Sequence, residues 1–135
     1  GDSGFSNGSA YADLDNDGDL DLVINRVNEP VGVMRNETNL LSPQSRYLRF
    51  ELAGDKKNRH AIGTRITVMS GDKSYYIEQM PNRGFESSVD PRPFVGMGEI
   101  TMVDSIIVQW PDGRETYLGK VATNQTVRLN QSEAV

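Results

Sequence analysis

The chain has 135 residues, with 14 Lys and Arg against 19 Asp and Glu, a formal net charge of −5, and no cysteine. That length suits one ordinary domain, or one domain with a fragment of another. The charge balance excludes a basic nucleic-acid surface, and the missing thiols exclude disulfides, thiolate catalysis and Cys-ligated zinc. No stretch approaches the roughly 20 apolar residues needed to span a bilayer, so no membrane span is expected.

Gly1-Asp2 opens the chain without a Met and without a basic, apolar leader, which gives the expectation of a piece excised from a longer protein. Residues 1–40 hold eight acids against two bases, a balance of −6, whereas residues 41–135 hold eleven against twelve, a balance of +1. The acidity is therefore local. Five acids fall on alternate positions of Asp13-Leu14-Asp15-Asn16-Asp17-Gly18-Asp19-Leu20-Asp21. Carboxylates this close repel one another unless a cation neutralises them, and hard oxygen ligands on a tight loop suit Ca²⁺. Side-chain oxygens of Asp13, Asp15 and Asp17, the carbonyl of Asp19 and the carboxylate of Asp21 are the candidate ligands, with Gly18 permitting the sharp turn. An EF-hand is excluded, because position 12 of the loop is Ile24 rather than Glu. Mg²⁺ fits less well, since it demands an octahedral site and keeps its waters. The flanks Gly8–Ala12 and Leu20–Asn25 read as strands. The bland alternatives are a solvated acidic turn and a purely structural ion, and the second is the preferred reading of the ion's role.

Pro43 with Ser42 and Ser45 marks a polar connection, with a turn of helix expected around Asn39–Ser45. It separates an acidic segment, residues 1–40, from a β domain over 45–131. The acidic segment amounts to two or three strands and needs a packing partner. Beyond the connection, short apolar runs punctuated by Gly and Pro predict strands over Tyr47–Leu52, Thr64–Met69, Ser74–Gln79, Phe85–Val89, Val103–Trp110, Arg114–Leu118 and Thr126–Leu129. Tyr47–Leu52 alternates cleanly, Ser70–Lys73 reads as a turn, and Pro111-Asp112-Gly113 predicts a hairpin. The fold class is all-β: an antiparallel β-sandwich.

Other chemistry finds little support. His60 is the lone histidine and has no ligand partner at metal spacing. No Gly-x-Ser-x-Gly elbow occurs. Glu78, Glu86, Asp90 and Glu99 could supply a glycosidase pair by count, yet nothing local marks them. Trp110, Tyr75, Tyr76, Tyr117 and Phe85 invite a sugar-stacking platform, with Trp110 placed in the core and one of the adjacent tyrosines facing out. Asn7, Asn36, Asn124 and Asn130 fit the glycosylation pattern.

Residues 5–38, carrying Phe5-Ser6-Asn7-Gly8, the Asp13–Asp21 run and Val31–Glu37, resemble the last FG-GAP (VCBS-type) repeat of a β-propeller. Residues 46–130 resemble the ASPIC/UnbV domain that follows such repeats, through Asn58–Ile66, Gly84–Ser88, Phe94-Val95-Gly96-Met97-Gly98 and Val103–Gly113. The chain departs from that family at Phe94-Val95, where His-Phe is common before Gly-Leu-Gly, so a role resting on that His has no matching residue in this chain. The resemblance implies a partial propeller blade with a calcium loop at the N-terminus, with metal ligands Asp13, Asp15, Asp17, Asp21 and the Asp19 carbonyl, and further blades upstream. It also implies an extracellular, cell-surface or periplasmic protein of the adhesion or carbohydrate-binding kind. The expected function is a non-enzymatic, Ca²⁺-stabilised module contacting glycans or surface proteins. The alternatives are an accessory or catalytic domain in carbohydrate or secondary-metabolite processing, and a structural cap of the propeller.

Overall fold

The computed structural model describes residues 4–135. It is all-β, with four sheets and no barrel. Contacts divide the chain into two compact units, Gly1–Pro43 with Pro81–Asp90, and Gln44–Met80 with Pro91–Val135.

The first unit holds the antiparallel sheet β1 (Ser6–Ala12), β2 (Asp21–Arg26) and β3 (Gly32–Met34), in that order. One helical turn, α1 (Thr38–Leu41), follows, starting one residue before the predicted segment and ending before Ser42. Register places Ala12 opposite Asp21, so the acidic segment is the loop joining β1 to β2. The unit has an unusual interior. Among its described residues the buried ones are Asp13, Asp19 and Asp21, while Phe5, Val31, Val33 and Leu41 stay exposed.

The second unit supplies a conventional core. Its strands are β4 (Arg46–Ala53), β5 (Arg65–Ser70), β6 (Lys73–Glu78), β7 (Phe94–Gly98), β8 (Met102–Val103), β9 (Ser105–Gln109), β10 (Glu115–Leu118), β11 (Val121–Ala122) and β12 (Gln125–Asn130). A four-stranded sheet runs β10-β9-β5-β6, a three-stranded sheet runs β12-β4-β7, and β11 pairs with β8. Alternation decides what is buried. Ile66 and Val68 of β5 and Ile106 and Val108 of β9 join Leu48, Phe50 and Leu52 of β4, Val95 and Met97 of β7 and Val127 of β12 in one cluster. Each such side chain contributes about 1.5–3 kcal/mol by leaving water. Two sheets facing one apolar layer are a β-sandwich. Trp110 is buried beside this layer and donates its indole Nε1–H to Thr116 Oγ1 at 2.9 Å.

Three strand expectations need correction. Phe85–Val89 is not a strand: Gly84 (φ 79°) and Glu86 (φ 45°) take left-handed conformations, which leave only an isolated bridge between Asn82 and Ser88. Phe94–Gly98 is a strand that reasoning from alternation passed over, because Gly96 and Gly98 hide the pattern whose inward members are Val95 and Met97. The sheets are mainly antiparallel as expected, but β12 lies parallel to β4 through six residue pairs. Phe94 stacks on Tyr47 with centroids 5.2 Å apart, and the Arg49 guanidinium lies 5.7 and 5.9 Å from the two rings.

The loop preceding β5 is tied by its own side chains. Asp55 Oδ1 accepts from the amides of Lys57 and Asn58, and Asn58 both donates to the Ile62 carbonyl and accepts from the Ile62 amide. Buried Gln79 donates its side-chain amide to the carbonyls of His60 and Pro91. His60 thus serves through its backbone.

Candidate metal centre

The loop between β1 and β2 folds round Asp13. Asn16 (φ 61°) and Gly18 (φ 96°) are both left-handed, which reverses the chain twice within three residues. Gly18 takes that conformation at little steric cost, and Asn is among the side chains that tolerate it best. The reversal aims two amides at the Asp13 carboxylate: Asp17 N–H donates to Oδ1 at 3.1 Å and Gly18 N–H to Oδ2 at 3.3 Å. Asp15 Oδ1 also accepts from the Asp17 amide, and Asp17 Oδ1 from the Asp19 amide.

Oxygens of Asp13, Asp15 and Asp17 lie within 4.8 Å of one another, with Asp13 buried, Asp17 half-buried and Asp15 exposed. Oxygens bound to a common Ca²⁺ at about 2.3–2.6 Å sit no more than about 5 Å apart, so the three can serve one ion. The carboxylates of Asp19 and Asp21 fall outside this trio. Asp21 spends Oδ2 on the Leu14 amide at 3.0 Å and Oδ1 on the Asn36 amide at 2.8 Å. Asp19 Oδ2 accepts from the Asn39 amide at 3.2 Å, while its Oδ1 is buried without a hydrogen-bond partner. Such an orphaned carboxylate oxygen is costly, and a hard cation is a fitting partner for it. The loop therefore fits calcium: its donors are all oxygen and densely anionic, three of its carboxylates can reach one ion, and Asp19 keeps an unsatisfied oxygen.

Electrostatics follow the same layout. Burial raises the Asp19 carboxyl above its ordinary value, and the charges of Asp17 and Asp21 push the same way against hydrogen bonds from the Asn39 and Thr38 amides. Partial burial also raises Asp17, but hydrogen bonds from the Asp19 amide, Asn39 and Arg35 outweigh it and hold that carboxyl low. Arg35 is the local counter-charge: its Nε lies 3.0 Å from Asp15 Oδ2 and its Nη2 3.5 Å from Asp17 Oδ2. The Asp15 charge, and then the bond to Asp17, raise the Arg35 guanidinium in turn.

Arg35 and Asn39 were not singled out by sequence reasoning, and Asn36 only as a glycosylation candidate, although they follow the loop by only fourteen to eighteen residues. Asn36 donates its side-chain amide to the Leu20 carbonyl, and Asn39 does the same to Asp17. A cation and two amides just after β3 are a legible signal only once that strand is known to return beside the loop. Three of the four candidate glycosylation asparagines are engaged internally, since Asn36, Asn124 and Asn130 each accept hydrogen bonds through Oδ1.

The family model described as ASPIC and UnbV matches residues 54–135. The chain belongs to this family. The ASPIC and UnbV match begins at Gly54, after the acidic loop, and takes in the tied loop before β5 and every strand from β5 to β12. A comparison with curated proteins gave no match.

Proposed function

We propose that the chain is a non-catalytic, calcium-stabilised binding module of an exported or cell-surface protein, contacting glycans or other surface proteins. On this reading residues 1–40 are a partial FG-GAP (VCBS-type) repeat, residues 45–131 are the domain that follows it, and further propeller blades precede both. One observation carries the calcium part. The described residues buried in the first unit are three aspartates, and one of their oxygens lacks any partner. A fold element that buries carboxylates instead of apolar side chains gains most from a bound divalent cation, because unpaired buried charge costs several kcal/mol. Asp13, Asp15 and Asp17 would hold the ion through carboxylate oxygens, with Asp19 and Asp21 completing its surroundings. The ion's role is structural: it offsets repulsion and fixes the β1–β2 connection.

The catalytic alternative has weaker support. Glu51 and Glu133 line one open depression on the second unit, but Glu51 is bound by Arg128 at 2.9 Å, and neither His60 nor a serine elbow is near them in the lining. Glu86 lines the depression beside β1 with Ser87 and Phe85 as the sole acid there.

Isothermal calorimetry of Ca²⁺ into the EDTA-stripped chain tests the reading. Heat of binding with a stoichiometry of one supports it, and no heat at millimolar calcium refutes it.

A further inference from the structure

The four-stranded sheet buries one face and leaves the other open. Ile66, Val68, Ile106 and Val108 point into the core at 0% exposure. Register fixes what points away. Tyr76 of β6 lies opposite Thr67 of β5, Thr67 opposite Ile107 of β9, and Ile107 opposite Tyr117 of β10. Directly paired residues share a face, so these four form one row across the sheet. Its ends are the rings of Tyr76 and Tyr117, 60% and 69% exposed, on strands about 14 Å apart at ~4.8 Å per strand.

The next row on that face, two residues along each strand, is polar. Glu78 faces Arg65, Arg65 faces Gln109, and Gln109 faces Glu115. Gln109 Nε2 donates to Glu115 Oε1 at 2.9 Å. Among the described residues, neither the Arg65 nor the Glu78 side chain has a hydrogen-bond or ion-pair partner, although they lie opposite one another.

We propose that this face binds a neutral polysaccharide chain running across the strands, with sugar rings stacked on Tyr76 and Tyr117 and hydroxyls bonded by the Glu78–Arg65–Gln109–Glu115 row. A sugar ring offers apolar C–H faces and a rim of hydroxyls. The sheet offers the matching pair: flat aromatic rings beside planar carboxylate, guanidinium and amide groups that each bind two hydrogen-bond partners. Two carboxylates against one guanidinium leave the polar row at −1, which disfavours uronate or sulfated chains. A protein partner is poorly served, because the aromatic row has the charged Glu78–Arg65–Glu115 row on one side and only Ser74, Met69 and Ser105 on the other, whereas stable protein interfaces bury about 800 Å² per side round a charge-depleted core.

The proposal rests on the glycan-contacting part of the function proposed above and is independent of its calcium part, since every residue named lies in the second unit. Affinity electrophoresis of the full chain through gels containing mixed-linkage β-glucan, xylan, mannan or alginate tests it. Retardation by at least one of the three neutral polymers is expected, unchanged by EDTA, with none by alginate. Tyr76→Ala with Tyr117→Ala is expected to weaken retention roughly tenfold or more while leaving the melting temperature in place, and Tyr→Phe at both positions is expected to keep it. Retention unaffected by the alanine pair, lost in the phenylalanine pair, or found only with alginate overturns the proposal. No retention by any neutral polymer overturns it as well, and leaves calcium binding to stand or fall by calorimetry.

Discussion

Replacing Arg35 by Gln separates the metal reading from a self-contained acidic turn, because it acts in opposite directions on two measurable quantities. In the calcium-free chain the Arg35 guanidinium bridges Asp15 and Asp17 at 3.0 and 3.5 Å. Its side chain is 57% exposed, so the pairing is screened by solvent and is far weaker than a buried pair. Arg35→Gln is therefore expected to lower stability only slightly in EDTA. Calcium binding must weaken the same contacts, since the ion competes for the same carboxylates. The variant is thus expected to bind Ca²⁺ more tightly, by no more than about fivefold, the scale of an exposed ion pair. Urea denaturation in EDTA reads the first quantity and titration calorimetry in 20 mM and 500 mM salt the second, and the gain in affinity is expected to shrink at high salt as screening grows. Unchanged or weaker calcium affinity in the variant refutes the reasoning.

Two further outcomes test the β-sandwich. Gly54→Ala is expected to lower stability by at least about 1–3 kcal/mol, seen as an earlier urea midpoint, because an added Cβ would collide with the Asn58 carbonyl in the tied loop. Asp112 in the β9–β10 turn is held at about 2, below its ordinary 3.8, chiefly by hydrogen bonding from Arg114. A depressed carboxyl adds stability that is present above the unfolded value and lost as pH falls through the folded one. The difference in melting temperature between the wild type and Asp112→Asn is therefore expected to be constant above pH 5 and to vanish as pH falls from about 4 to 2; a constant difference down to pH 2 refutes it.

Much of the sandwich was legible because strand burial follows local alternation. Tyr47–Leu52 shows in sequence the alternation that the core cluster shows in space, and the apolar runs Thr64–Met69 and Val103–Trp110 supply β5 and β9, although the second run breaks at Asp104 and leaves Val103 in β8. The hairpin at Pro111-Asp112-Gly113 was legible too, as Gly113 (φ 90°) takes the position that glycine favours. What failed was non-local or glycine-masked. The parallel pairing of β12 with β4 joins residues 77 apart, which no periodicity reports. Phe85–Val89 has strand-like composition, but left-handed Gly84 and Glu86 break the strand. The acidic loop was conspicuous because its chemistry is contiguous in sequence. Arg35, Asn36 and Asn39 join it only through the β2–β3 pairing, and the tyrosine row exists only through the register of four strands.

The −5 net charge combines a second unit close to neutral with one acidic loop, and the central claim is that this loop holds calcium. The most direct measurement is the thermal melt of the chain in EDTA and in 5 mM CaCl₂, alongside Asp15→Ala with Asp17→Ala. The account predicts a higher melting temperature in calcium for the wild type and no shift for the double variant. An equal melting temperature in both buffers for the wild type, or the same calcium shift in the variant, would contradict it.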